Sequence, residues 1–285
     1  TVSATWRNIS QFTSSSSDFE TETGTLGLDY AWPLTEFQSV RMGFAAQRSD
    51  LFTDPNSSAA EALYWVQNNG NTYTEVQNVG IPPIALTYYG TKFDTFEYSL
   101  GWSFDSRNRA LFADRGSRHR LSASYALPFS DIDFVSFNYD YLQFIPVSKW
   151  FTLMFNSEAG YGQALGDTTS MPPYRRFFAG GPETVRGYRE SRMGPKDSFG
   201  NPYGGNIKFT NQLELLLPMP AKWRNSARFS LFFDIGNTFS TDGARYLGRD
   251  LQTPVEYKFK YSELKQSAGI ALEWVAPAAA AGRLD

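Results

Sequence analysis

Along much of the chain, apolar and polar residues trade places at every second position. From Ala227 to Ile235 the apolar set is Ala227, Phe229, Leu231, Phe233 and Ile235, and between them stand Arg228, Ser230, Phe232 and Asp234. Period two is the signature of a β-strand that presents one apolar face. The rhythm returns with Phe96, Tyr98, Leu100, Trp102 and Phe104 against Glu97, Ser99, Gly101, Ser103 and Asp105. It returns again in 149–162, where Ser157 interrupts the apolar set, in 206–217, where Asn211 does, and through Ala268, Ile270, Leu272 and Trp274. Ten strands are predicted: 3–10, 22–32, 37–49, 93–104, 118–127, 133–144, 149–162, 206–217, 226–239 and 261–275. Several exceed the about five or six residues of an ordinary strand. They match the roughly 9–11 residues that a tilted strand needs to cross a bilayer.

A soluble sandwich turns its apolar faces inward and a membrane barrel turns them outward, so alternation alone leaves both open. Three features favour the membrane. The apolar faces are long and end in aromatics (Tyr30, Trp32, Trp274), and the opposite faces carry the Gly, Ser and small polar residues that suit a wet lumen. Connections also alternate between short and long. The short ones are marked by Trp32-Pro33-Leu34, Ile145-Pro146-Val147 and Leu217-Pro218-Met219-Pro220; the long ones are 50–92, 163–205 and 240–260. Segments 105–117 and 128–132 depart from the rule, one long for a turn and one short for a loop. The expected fold is all-β, an antiparallel transmembrane β-barrel with long external loops. Within 50–92, Ala59 to Val66 is predicted as a short surface helix in an otherwise ordinary external loop. Segment 163–205 holds eight Gly and five Pro beside Phe177-Phe178, a combination that predicts an ordered loop inserted into the barrel.

Composition then removes other classes. The 285 residues hold 26 basic and 29 acidic side chains, a formal net charge of −3, so no basic face argues for a nucleic-acid partner. With no Cys there is no disulfide scaffold, thiolate zinc site or thiol catalysis. The one His, His119, falls on an outward face, where it reads as a surface residue rather than a catalytic base. No run of about 18 apolar residues exists for a membrane helix. Thr1 to Ser10 lacks the basic start and apolar core of a signal peptide. No Gly-rich phosphate loop joins a strand to a helix. Glu158, Glu214, Asp234 and Glu273 lie on polar faces, where a lumen brings acids together by chance, and calcium at Asp50 and Asp54 has no support. The chain is read as a non-enzyme with no cofactor and no metal.

The run Arg176-Phe177-Phe178-Ala179-Gly180-Gly181-Pro182-Glu183-Thr184-Val185-Arg186-Gly187-Tyr188 resembles the sixth-loop motif of the BamA superfamily of outer-membrane assembly and transport barrels, whose core is Val-Arg-Gly-Phe/Tyr. The likeness continues in order through Gly194-Pro195, Gly204-Gly205-Asn206, Leu213-Glu214-Leu215 ending at Pro218, Ser230 to Phe239, and Ser267 to Trp274. Phe112-Ala113-Asp114-Arg115-Gly116 is a weaker signature, and residues 1–92 share only the strand rhythm. The series resembles the assembly branch more than the translocation and secretion branches.

That resemblance implies a sixteen-stranded barrel of the Gram-negative outer membrane. It would follow a string of periplasmic POTRA domains, and it would fold and insert other β-barrels without nucleotide. The route would be a weak seam whose edge strand templates a client strand. The implied partners are unfolded outer-membrane β-barrel clients, lipoprotein subunits reached mainly through POTRA domains, and outer-membrane lipids. The alternative is a two-partner secretion or translocation transporter of the same superfamily; a general porin would lack the loop motif. By motif order the ten strands correspond to about the fifth through the fourteenth. Residues 1–285 are then one partial barrel domain without POTRA domains or the first and last strands, and Gly282 to Asp285 begin a further strand. A loop disulfide known in the family is not available to a chain without Cys.

The resemblance also carries a site. The loop tip, Val185, Arg186, Gly187 and Tyr188, would turn into the lumen, with Arg186 against Glu214, Phe232 and Asp234. Strand phasing by itself already puts those three on the polar face. The guanidinium fork can engage carboxylates in bidentate fashion and can lie on a ring face. The alternative is that the two acids simply face lumen water. Gly187 would allow the tight turn. Gly180 and Gly181 would let the loop backbone approach the wall, unless they form only a turn. Tyr188 would pack beside Arg186.

Overall fold

The computed structural model describes residues 2–10, 20–53, 59–79, 83–220, 223, 227–247 and 252–274. The predicted start of a further strand at Gly282, the last residue of the strand predicted over 261–275, and Asp54 all lie outside these. One antiparallel sheet dominates. Its strands are β1 (Val2–Ser10), β2 (Glu20–Pro33), β3 (Gln38–Thr53), β4 (Asn71–Val79), β5 (Ile84–Asp105), β6 (Gly116–Ala126), β7 (Phe134–Pro146), β8 (Thr152–Ala164), β9 (Ile207–Leu216), β10 (Ala227–Phe239) and β13 (Lys265–Trp274). Two-residue strands β11 (Tyr246–Leu247) and β12 (Pro254–Val255) pair separately. The sheet is a meander in the order β1-β2-β3-β5-β6-β7-β8-β9-β10-β13, with β4 paired to β5 off this path.

Register keeps the apolar positions on one face from strand to strand. Phe44 pairs with Leu28 and with Tyr98, Leu121 with Trp102 and with Tyr139, and Leu231 with Leu215 and with Ile270. These side chains have nothing packed over them: Leu26, Ile270 and Trp274 are 60%, 68% and 68% exposed. A soluble sandwich would cover such a face, whereas lipid covers it in a membrane barrel. The two polar interruptions prove to be one feature, because Ser157 and Asn211 face each other across β8 and β9. His119 also lies outward, its Nδ1 2.9 Å from the Tyr139 hydroxyl and its ring against Trp102 and Phe104.

The long loops depart most from expectation. The helix predicted near 59–66 forms as α1 (Ala60–Asn68), but the residues after it are sheet. Asn71–Val79 runs antiparallel to the first part of β5, with Asn71 opposite Lys92 and Val79 opposite Ile84. Residues 89–92 of β5 pair with β3 on one edge and β4 on the other, so β4 continues the sheet beyond the end of β6. The Thr, Tyr and Val content of 71–79 suits a strand, but it lacks an apolar face to announce one. The inner face is also less watery than its small polar residues suggest. Leu51, Phe93 and Phe134 point inward and pack with Trp65 and Val66 of α1 and with Met171, Tyr203 and Tyr246 of the loops. Trp65 donates its indole N–H to the Ser170 carbonyl at 3.1 Å.

Candidate functional site: the inward loop and its anchors

Residues 165–206 leave the end of β8, cross the inner face and return into β9. Local pairs hold the loop in shape: Phe177 with Gly205, Ala179 with Met193, and Gly181 with Val185. Val185 is fully buried against Ala179 and Met193. The loop touches wall strands from β5 to β13. Phe177 lies over Gly160 and Met171 over Gly162 of β8, Gln212 of β9 donates to the Pro182 carbonyl, and Thr238 of β10 donates to that of Met193. One face of a sheet can reach a single loop from so many strands only by wrapping around it.

The loop tip is tied to β9 and β10. Arg186 donates from Nε and Nη2 to the two Asp234 oxygens at 2.7 and 2.6 Å, and from its backbone N–H to Asp234 Oδ2 at 3.0 Å. Its Nη1 reaches Glu214 Oε1 at 2.5 Å, and its guanidinium lies 3.9 Å from the centre of the Phe232 ring. Ser230 donates to the other Glu214 oxygen at 2.8 Å. The register explains the convergence: Glu214 is the cross-strand partner of Phe232, and Asp234 is two residues further along the same face. The side chains of Arg186, Glu214 and Asp234 are 15%, 3% and 0% exposed, so this arrangement replaces the water-facing alternative.

The rest of the tip differs in detail. Gly187 has φ +83°, a region favourable to glycine. Tyr188 reaches across to β13, where its hydroxyl donates to the Gln266 carbonyl at 3.2 Å. Gly180 and Gly181 do not approach the wall. They too have positive φ, and a Cβ on either would meet the loop's own strand, at Arg189 and Glu190. The close approach to the wall is made instead by Gly205, whose Cβ would collide with the Phe239 backbone.

Sequence reasoning missed the loop's other anchors. Arg175 pairs with Glu97 of β5 and lies over Phe134. Arg176 is wholly buried, donating to Asp242 at 3.0 Å and to the Tyr246 hydroxyl at 2.9 Å above the Tyr203 ring. Burial pushes the Tyr246 phenol up to about 12, against the opposing pull of the Arg176 cation and the Ser240 hydroxyl. Glu61 of α1 accepts from the backbone of Ser198 in one loop and Leu247 in the next. A signal for the first of these existed: adjacent arginines in a Gly- and Pro-rich loop, and Glu97 on a polar strand face.

At the other end of the sheet, segment 106–115 also folds inward. Arg228 donates to the Ala113 carbonyl at 2.6 Å and lies over Phe112 and Phe144. Phe112 has φ +50°, rare for a bulky residue. Elsewhere in the lumen Glu158 is paired with Lys208 at 2.6 Å.

The Omp85 superfamily domain matches residues 1–285. The outer membrane protein assembly factor BamA of Neisseria meningitidis serogroup B is 31% identical over 275 residues, 91% of this chain and 33% of that protein. A SAM50-like protein of Drosophila melanogaster, CG7639, is 26% identical over 176 residues, covering 59% of this chain and 39% of that protein. Among solved structures, BamA from Haemophilus ducreyi lacking POTRA domains 1–3 superposes with a TM-score of 0.76 at 21% identity, over 97% of this chain and 52% of that one. The chain therefore spans about a third of the length of the Neisseria relative. With the family domain matched from first residue to last, the chain belongs to the Omp85 superfamily, as barrel strands of the Gram-negative outer membrane.

Proposed function

We propose that this chain is barrel wall of an assembly factor that folds and inserts β-barrel proteins into the outer membrane. The observation that carries the reading is the 31% identity to a BamA over 91% of the chain. The geometry supports it. An inner face occupied by an anchored loop from β5 to β13 is poorly suited to bulk flow through the lumen. It suits a protein whose clients are handled at the sheet and the surrounding lipid. No bond is made or broken in such work, so the protein is not an enzyme and takes no cofactor. Its partners are unfolded β-barrel clients, lipoprotein subunits reached through POTRA domains, and the membrane lipids.

The test uses the full-length protein as the sole copy in the cell, carrying Arg186→Ala. Levels of several unrelated outer-membrane β-barrels should fall together, and the assembly factor's own barrel should melt at lower temperature. Unchanged client levels would sink the reading. Loss of one exported protein, with β-barrel levels intact, would point instead to a secretion transporter.

A further inference from the structure

At the long-loop end, a cleft of about 460 Å³ opens between the inward loop, the segment before β13 and the start of β13 itself. Its size lies in the range of small-molecule sites. Its charge sets it apart from the chain as a whole, which carries a net −3. Arg192, Lys196, Lys258, Lys260 and Lys265 line it, against only Glu256 and Glu263. Lys258 is taken up by Glu256 at 3.0 Å. Among the described residues, Lys196, Lys260 and Lys265 form no ion pair. Three ammonium groups held around one concavity, with low-dielectric walls behind them, focus a positive potential into it. Two tyrosines, Tyr188 and Tyr257, also line it. Aromatic rings beside cations suit a sugar that bears anionic groups.

We propose that this cleft binds a phosphorylated sugar, held by Lys196, Lys260 and Lys265. The ligand would bridge the inward loop to β13 at Lys265, two residue pairs beyond Asp234 of the Arg186 anchor. Such chemistry reaches this face of an outer membrane from two sources, the phosphorylated disaccharide headgroup of an outer-leaflet glycolipid and a free phosphate-bearing solute. Nothing in the proposal depends on the assembly reading.

The experiment measures binding of diphosphoryl lipid A to the full-length protein in detergent micelles, with heat-modifiability confirming that each variant is folded. Lys260→Gln with Lys265→Gln should weaken binding about tenfold, since each removes an attraction of the order of half to one kcal/mol. Lys149→Gln, which removes one positive charge at the short-turn end, should leave binding unchanged. Raising salt should weaken binding to the parent protein. Displacement of the lipid by inorganic phosphate would identify a free anion as sufficient; failure of phosphate to compete would identify the lipid headgroup. Equal binding by the parent and the double variant, or equal binding of lipid A with and without its phosphates, overturns the proposal.

Discussion

Arg186 brings four kinds of contact to one place: a bidentate pair to Asp234, a bond to Glu214, a stack on Phe232 and a backbone donor. Both acids are almost completely buried, and that decides the energetics. In a water-filled lumen, removing the arginine would cost about 1 kcal/mol or less. Here it leaves two buried carboxylates without the cation that bonds them, and the expected loss is about 3–5 kcal/mol. A double-mutant cycle on unfolding of the folded barrel checks this. Arg186→Ala paired with Asp234→Ala should show coupling of at least about 1 kcal/mol, and likewise with Glu214→Ala; strictly additive effects would contradict the contacts. The loop motif was legible as a contiguous run, its partners were implied by the family resemblance, and strand phasing agreed by putting Glu214, Phe232 and Asp234 on one face. Arg175 left a signal, since Glu97 stands on a polar strand face, but the partner of Arg176 left none, because Asp242 lies in a loop where no strand phasing marks its direction.

At the scale of elements, the loops on the long side are one packed body. Arg176 and Asp242 join the loop before β9 to the one after β10, and Glu61 ties α1 to both. Tyr246 makes this junction sensitive to alkali. Its phenol titrates near 10 when unfolded and at about 12 in place, so the fold holds the proton more tightly. The contribution is complete below pH 10 and is lost as pH climbs from about 10 to about 12. Protease resistance of the loops in the full-length protein should fall across that interval. Tyr203 and Tyr257, packed on Tyr246 and raised by burial in the same direction, share this fall, so Tyr246→Phe should make it shallower, and an unchanged profile would discount the contribution of Tyr246. The hairpin of β4 with β5 shows why element reading failed here. β4 and the first part of β5 carry no sustained apolar alternation, so the pattern did not mark them, and only their pairing reveals them.

At the scale of the whole molecule, an outward apolar face and an occupied interior set the physical character. Leu51, Trp65, Phe93 and Phe134 fill the long-loop end, and Ala113, Phe144, Met154 and Leu216 pack near the other. A general porin keeps that space open to water. The full-length protein in planar bilayers should therefore conduct far less than a porin, and Arg186→Ala should raise conductance by freeing the loop tip. High parental conductance, unaltered by the substitution, would mean that the loop does not obstruct the lumen.

The membrane strands with an apolar face and the loop-tip motif were legible in the sequence, because each is encoded locally, in a two-residue period or in a contiguous run. Which face meets lipid needed more than the period: aromatic strand ends, small polar residues opposite and the alternation of short and long connections. Tertiary structure decided which acids receive Arg175 and Arg176, that Gly180 and Gly181 pack the loop on itself, and that the interior is filled. Those depend on how the sheet curves and on which distant residues it brings within hydrogen-bond range, and a linear pattern does not carry that information.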